Sequence, residues 1–252
     1  MSNNMIDNKL KNNISPLAKE DKYGDDEIYE SWADINIFFP IAQKLIDPLY
    51  CMGLTPNMIT IISTIFTFLS IYFLHLNKRY LAFCAYLSGY ILDCVDGRMA
   101  RKYSMSSDIG MVLDTTSDNV SNTVLFSYIL LNRPINLMNT SLFVLLGSLS
   151  YMLSLSFGLN EAISSYKSTG TDNFYEKRLK QFGNKSTIYE KGTIYEKKLF
   201  DLFLLINKIS YDSYKKFFPT YDIKRINKWL KVLKHFGPGN YCLFVSILLL
   251  YI

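Results

Sequence analysis

The sequence predicts an all-α fold: a polytopic membrane helical bundle of five to six spans, preceded by an N-terminal amphipathic helix at the membrane interface. Three observations predict it. Long stretches carry no charge, two shorter apolar stretches flank a segment holding four aspartates, and the positive charges fall almost entirely on one side of the implied layout.

Hydrophobic residues make up 49% of the 252, so the chain can bury a large surface. They are gathered into long uncharged runs, which point to membrane spans rather than to a soluble core. The net charge is +5. Its basic residues do not cluster on a recognisable nucleic-acid module, so no nucleic-acid partner is expected. Cys51, Cys84, Cys94 and Cys242 have no paired spacing, and neither a disulfide framework nor a zinc site is implied. The polar, acidic N-terminus gives no sign of a cleavable secretory signal.

Residues 1–31 are rich in Asn, Lys and Asp and read as a flexible polar tail. From 32 to 50, Trp32, Ile35, Phe38, Phe39, Ala42, Leu45 and Leu49 recur at helical spacing, interrupted by Pro40 and Pro48. That pattern suits a helix lying on a membrane. Residues 57–76 are uncharged and reach the roughly 20 residues a bilayer requires. Pro56 suits the first turn of that helix. Residues 134–160 form a second uncharged run, and 236–252 a third. The runs 80–92 and 119–132 are too short alone. Each reaches spanning length only by continuing into the acidic segment between them, and ionisable groups at membrane depth mark function.

With spans at about 57–76, 80–97, 107–132 and 134–160, 24 of the 27 Lys and Arg share one side. The positive-inside rule makes that side cytoplasmic. Residues 161–235 then read as a basic cytoplasmic insertion. A further span at 199–209 is excluded, because it would carry the basic residues of 210–235 to the other side. Within the insertion, Ile223, Ile226, Leu230 and Leu233 give 221–234 one apolar face on a basic helix. The pentapeptide Thr-Ile-Tyr-Glu-Lys occurs at 187–191 and again at 193–197, too little for a repeat architecture. His75 and His235 lie near predicted membrane boundaries without a partner at metal spacing.

The segment LDCVDGRMARKYSMSSDIGMVLDTTSDN, residues 92–119, carries the chemistry. Asp93 and Asp96 are three apart, and Asp114 and Asp118 are four apart, so each pair shares a helix face. A turn near 102–106 sets the two helices antiparallel and lets four carboxylates converge. Divalent cations remove the resulting repulsion, and hard oxygen ligands suit Mg2+ or Mn2+. Two such ions roughly 3.5–4 Å apart can clamp a pyrophosphate. Gly97 and Gly110 allow close approach, and Arg101 offers a positive fork to a phosphate.

Asp93, Asp96, Gly97, Ala100, Arg101, Gly110, Asp114 and Asp118 resemble the signature of the CDP-alcohol phosphatidyltransferases at every fixed position. At roughly 5% usage per residue, eight matches by chance are on the order of one in ten billion per start. Thr55-Pro56-Asn57-x-x-Thr60 is similar to that family as well. The resemblance implies a six-helix membrane enzyme with its site on the cytoplasmic face, against five spans counted here, and it allows a homodimer. It implies that Asp93, Asp96 and Asp114 hold the metals and that Asp118 shares one and acts as general base. Donor contacts carry over to Pro56, Asn57, Gly97, Arg101 and Ser107.

The implied reaction transfers a phosphatidyl group from CDP-diacylglycerol to a small polar alcohol and releases CMP. Leu113 to Asp118, with a hydroxyl residue before the last aspartate, is similar to the phosphatidylinositol synthase branch, and Phe236 to Tyr241 is faintly so. Inositol is therefore the favoured acceptor, with glycerol 3-phosphate and serine open. Asn119 departs from the Arg usual in that branch. A CDP-choline or CDP-ethanolamine phosphotransferase and a non-catalytic membrane protein are the alternatives. Residues 32–252 are expected to form one membrane-embedded domain.

Overall fold

The computed structural model describes residues 30–132 and 137–251. The tail expected over 1–31 falls, up to residue 29, outside the described residues. Among the described residues the chain is all-helical, with no strand.

The predicted amphipathic helix begins as a π-helical turn, Asp34–Phe38, and continues as α1, Phe39–Cys51. Its inner face buries Phe38, Ala42 and Ile46. After α1, Gly53 takes φ +82°, a left-handed conformation that glycine adopts without strain. Helix α2, Pro56–His75, starts where the Thr55 side chain accepts from the Met58 amide, with Pro56 in the first turn. It is the one described helix both long and apolar enough to cross a bilayer by composition.

Helices α3, Arg79–Lys102, and α4, Asp108–Leu131, have 24 residues each, or about 36 Å of helix. The two short apolar runs do continue into the acidic segment. Helix α3 continues past the expected end at 97, passing Asp93 by nine residues, while α4 precedes Asp118 by ten, as the span expected over 107–132 implies. The aspartates therefore stand inside the helices, about 14–15 Å from those ends for Asp93 and Asp118.

Helix α5, Leu137–Thr169, runs past the uncharged stretch, and Gly170 (φ +72°) ends it. Helices α6, Phe174–Phe182, and α7, Thr187–Lys191, follow. The first pentapeptide copy is α7 itself. The second opens α8, Ile194–Phe217, where Thr193 and Glu196 form a capping box. Helix α9, Ile223–Leu233, and α10, Pro238–Tyr251, complete the described chain. The stretch 199–209 lies in α8, which packs along both α4 and α5.

Helix α2 packs against α3 and α4, and α10 and α1 pack on α3. The α2–α3 contact is close because small residues line it: a Cβ at Gly89 would sit 3.0 Å from the Ser63 carbonyl oxygen. One apolar cluster joins α2, α3, α4 and α10 through Leu74, Ala82, Leu125 and Leu249. Another joins α5, α6, α8 and α9 through Leu159, Phe174, Tyr214 and Leu230. Val112, Phe182 and Phe203 bridge the two groups.

The turn after α3 is clasped to α1. Lys102 Nζ and the Tyr103 hydroxyl each donate to Asp47 Oδ1 at 2.7 Å, and Tyr50 stacks on Tyr103 with ring centroids 3.6 Å apart. The Lys102 hydrogen bond first, and that of Tyr103 second, hold the Asp47 carboxyl below its ordinary value of 3.8. A carboxylate with a lowered folded-state pKa stabilises the fold above the unfolded value, and that contribution fades as the pH falls through the lowered one. Asp47→Asn is therefore expected to cost about 0.5–1 kcal/mol at neutral pH. Thermal unfolding of both proteins across a pH series checks it: the gap closes well below pH 3.8 and stays open above it.

Candidate active site

Helix α2 sets the relation between the two aspartate helices, because it packs on both. From its buried face, the Thr60 hydroxyl donates to Asp96 Oδ2 at 2.5 Å. At the start of α4, the Ser107 side chain caps the helix by accepting from the Gly110 amide at 3.0 Å. A Cβ at Gly110 would sit 2.8 Å from Asn57 Oδ1 and 2.9 Å from Ser107 Oγ. Glycine there lets the N-termini of α2 and α4 meet.

Asp93, Asp114 and Asp118 each offer a carboxylate oxygen, and the three atoms lie within 4.8 Å of one another. Carboxylates this close tolerate one another only by sharing a proton or a cation. Three hard oxygen donors from two facing helices, with exposure to an adjoining cavity, fit a divalent cation. Asp96 is not in that group of three. It is buried, its Oδ2 is taken by Thr60, and it faces the charges of Asp93 and Asp114.

Two cavities meet at this point. The larger, about 560 Å³, is lined by all four aspartates with Gly97 and Arg101. The smaller, about 220 Å³, is lined by Pro56, Asn57, Gly97, Arg101, Ser107 and Gly110. Asp96, Gly97, Arg101, Asp114, Thr115 and Phe157 line both. All five residues singled out for donor contacts thus come to one cavity, although they lie on α2, α3 and the cap of α4.

The sequence model of one protein family, described as CDP-alcohol phosphatidyltransferase, matches residues 53–175. The matched region, just under half of the chain, is similar to that family. Over 114 residues, 45% of this chain, it is 34% identical to archaetidylinositol phosphate synthase of Pyrococcus horikoshii, of which 59% is covered. Over 134 residues, 53% of this chain, it is 25% identical to CDP-diacylglycerol--inositol 3-phosphatidyltransferase of Schizosaccharomyces pombe, of which 56% is covered. An uncharacterized protein of Aquifex aeolicus is 32% identical over 92 residues, 35% of this chain and 47% of its own length. The chain thus spans about half the length of these relatives. No solved structure matches.

The matched region includes the aspartates and all five donor-contact candidates, but it ends at 175. The structure adds residues beyond that limit to the same cavity. Arg178 on α6, with Phe203 and Asn207 on α8, lines the smaller one together with Glu161 of α5. Arg178 pairs with Glu161 at 3.0 Å. Sequence reasoning leaves these residues unassigned, because Arg178 is one of many basic residues between 161 and 235. Asp34 is a second residue it misses. It is buried beside the larger cavity, accepting from Ser31, Tyr90 and the Gly239 amide.

Asp114→Asn removes one of the three converging carboxylates. Mn2+ affinity, read by paramagnetic resonance titration of the purified protein, is expected to fall at least about tenfold, a loss that even changes outside the ligand shell produce. Unaltered Mn2+ binding would take Asp114 out of the ligand set.

Proposed function

We propose that the chain transfers a phosphatidyl group from CDP-diacylglycerol to a hydroxyl of inositol, releasing CMP, within a bilayer-embedded helical bundle. The observation that carries the reading is the convergence of Asp93, Asp114 and Asp118 beside a cavity lined by Pro56, Asn57, Gly97, Arg101 and Ser107. The relative named CDP-diacylglycerol--inositol 3-phosphatidyltransferase supports inositol as acceptor, and the one named archaetidylinositol phosphate synthase supports an inositol headgroup.

The bilayer setting is supported by the inverted character of α2. Its buried face is polar, with Thr60, Ser63, Thr67 and Ser70, while Ile61, Ile65, Phe68 and Tyr72 are exposed. A helix in water places these classes the other way round. Charge sidedness supports a site on the cytoplasmic face. Residues 32–252 are read as one membrane-embedded unit, with 161–235 on its cytoplasmic side.

In this reading Asp93, Asp96, Asp114 and Asp118 hold Mg2+ or Mn2+, two ions in all, with Asp96 oriented by Thr60. Bound there, such ions neutralise the pyrophosphate and the charge on the departing CMP. Asn57, Ser107 and Pro56 cradle the nucleotide, Gly97 lets it approach α3, and Arg101 pairs with a phosphate oxygen. Asp118 takes the proton of the acceptor hydroxyl. The hydroxyl oxygen bonds to the lipid-bearing phosphorus, the bridging P–O bond breaks, and CMP leaves with the electron pair. Positioning and charge neutralisation supply most of the acceleration in such transfers.

Membranes holding the full chain, supplied with CDP-diacylglycerol, Mn2+ and labelled inositol, are expected to yield labelled phospholipid and CMP in equal amounts. CDP-choline with diacylglycerol is expected to give none. A preparation that binds CDP but forms no lipid from inositol, glycerol 3-phosphate or serine would sink the proposal. Asp118→Asn should lower kcat by about 10²–10⁴, the range for losing a general base. Gly110→Ala should weaken CDP binding about tenfold by displacing Asn57 and Ser107, which equilibrium dialysis reads directly.

A further inference from the structure

We infer that α9, with the turn that follows it, is a docking surface for the anionic headgroups of membrane phospholipids. The inference rests on the bilayer setting proposed above and goes beyond the transfer reaction.

Helix α9 reads IKRINKWLKVL and contains no acid. Lys224, Arg225, Lys228 and Lys231 lie on it, and Lys234 opens the 3-10 turn Lys234–Phe236 that follows. One face of the helix is already covered: Ile226, Leu230 and Leu233 are buried in one cluster with Leu155, Leu159 and Ile163 of α5. Lys224, Lys228 and Lys231 are spaced by four and three residues, so they form a stripe, and helical geometry sets that stripe opposite the buried face. All three are exposed. Beside the stripe stand Trp229 and Val232, 44% and 51% exposed.

The surroundings fix where this face lies. Tyr221, just before α9, stacks on Tyr166 of α5 with ring centroids 3.9 Å apart. At its other end α9 passes through the 3-10 turn into Pro238, the first residue of α10. The uncharged run of α5 stops at Glu161. Helix α9 therefore accompanies α5 where apolar sequence gives way to charged, which in the bilayer reading is the level of the headgroups.

The acids nearby leave the stripe uncompensated. Asp222 caps α9 by accepting from the Lys224 and Arg225 amides. Asp172 accepts from Tyr214 and Lys215, Asp212 pairs with Lys208, and Glu161 pairs with Arg178. Among the described residues none of the five cations of α9 and its turn is in an ion pair. Basic clusters immediately beside a membrane span recognise anionic lipids, and each cation near such a surface favours it about fivefold. Lysine stems lie along apolar surface while their amines reach the phosphates. A face that meets water alone draws no advantage from Trp229 and Val232 beside the cations, whereas a lipid interface accepts both.

The sequence holds two tryptophans, Trp32 and Trp229, so Trp32→Phe leaves Trp229 as the sole indole. The test places that full-length variant in vesicles of phosphatidylcholine and phosphatidylglycerol, with one lipid or the other brominated near the glycerol end of its acyl chains. At equal mole fraction, brominated phosphatidylglycerol is expected to quench Trp229 at least about twofold more than brominated phosphatidylcholine. Replacing Lys224, Lys228 and Lys231 together by Gln should abolish the difference. Raising the salt to about 1 M, where the screening length is about 3 Å, should do the same without any substitution. Where the triple variant does not enter vesicles, the salt series decides. Equal quenching by the two lipids, quenching by neither, or a difference that survives high salt would overturn the docking surface while leaving the bilayer setting and phosphatidyl transfer intact. A chain that does not float with vesicles on a density gradient would overturn the bilayer setting as well.

Discussion

Three carboxylates held within 4.8 Å of one another are the constraint on which the rest of the structure depends. Like unit charges at about 4 Å repel by about 4 kcal/mol per pair at an effective dielectric of 20. Nothing in α3 and α4 alone would hold such groups together. Helix α2 supplies the restraint by packing on both, and its closest contacts are of a kind that only small or polar residues allow. Gly89 admits the Ser63 carbonyl to the α3 surface, and Gly110 admits Asn57 to the start of α4. Thr60 ties down Asp96. The polar face of α2 is thus a consequence of the aspartate cluster, and the apolar face is displaced outward.

That inversion links the site to its surroundings. In water, a helix with Thr60, Ser63, Thr67 and Ser70 inside and Ile61, Ile65, Phe68 and Tyr72 outside would expose its apolar stripe at a cost. In a bilayer the same arrangement is favourable, since the lipid meets the apolar face, Thr60 donates to Asp96 on α3, and the hydroxyls of Ser63, Thr67 and Ser70 donate to carbonyls of α2 itself. Aspartates two to three turns inside α3 and α4 are tolerable on the same terms, because they face a shared cavity and not lipid.

Much of the candidate site was legible in the sequence, because the residues that make it are spaced by helix geometry. Asp93 to Asp96 and Asp114 to Asp118 lie one turn apart, and Gly97, Arg101 and Gly110 keep register with them. The long apolar helices were legible as uncharged runs. Helix α8 was not legible as part of the bundle, because its buried face includes Asn207 and Ser210 and its flanks are charged. Arg178 was hidden for a different reason. Its pairing with Glu161 crosses from α6 to α5, and no local spacing reports it. Asp34 could not be read either: a lone aspartate in an amphipathic stretch looks solvated, and its amide partner at Gly239 is 205 residues away.

That last contact shows how distant parts of the chain reach the chemistry. Asp34 is buried without an adjacent ion pair among those described. It is held by three donors: Ser31 Oγ and the Tyr90 hydroxyl, each at 2.7 Å, and the Gly239 amide at 3.0 Å. The N-terminal end of α10 adds the favourable dipole of its first turn. Gly239 has to be glycine, since a Cβ there would overlap the Asp34 carboxylate. Asn240 completes the arrangement by accepting from the Ala33 amide at 3.0 Å. Tyr90 sits one turn before Asp93 on α3, so the carboxylate that fastens α10 to the first turn also grips the aspartate helix. Asp34, Tyr90, Asp93 and Cys242 all line the larger cavity. The latch between the π-helical turn and α10 is therefore a wall of the cavity in which Asp118 stands, and the position of that wall is set by hydrogen bonds rather than by apolar packing alone.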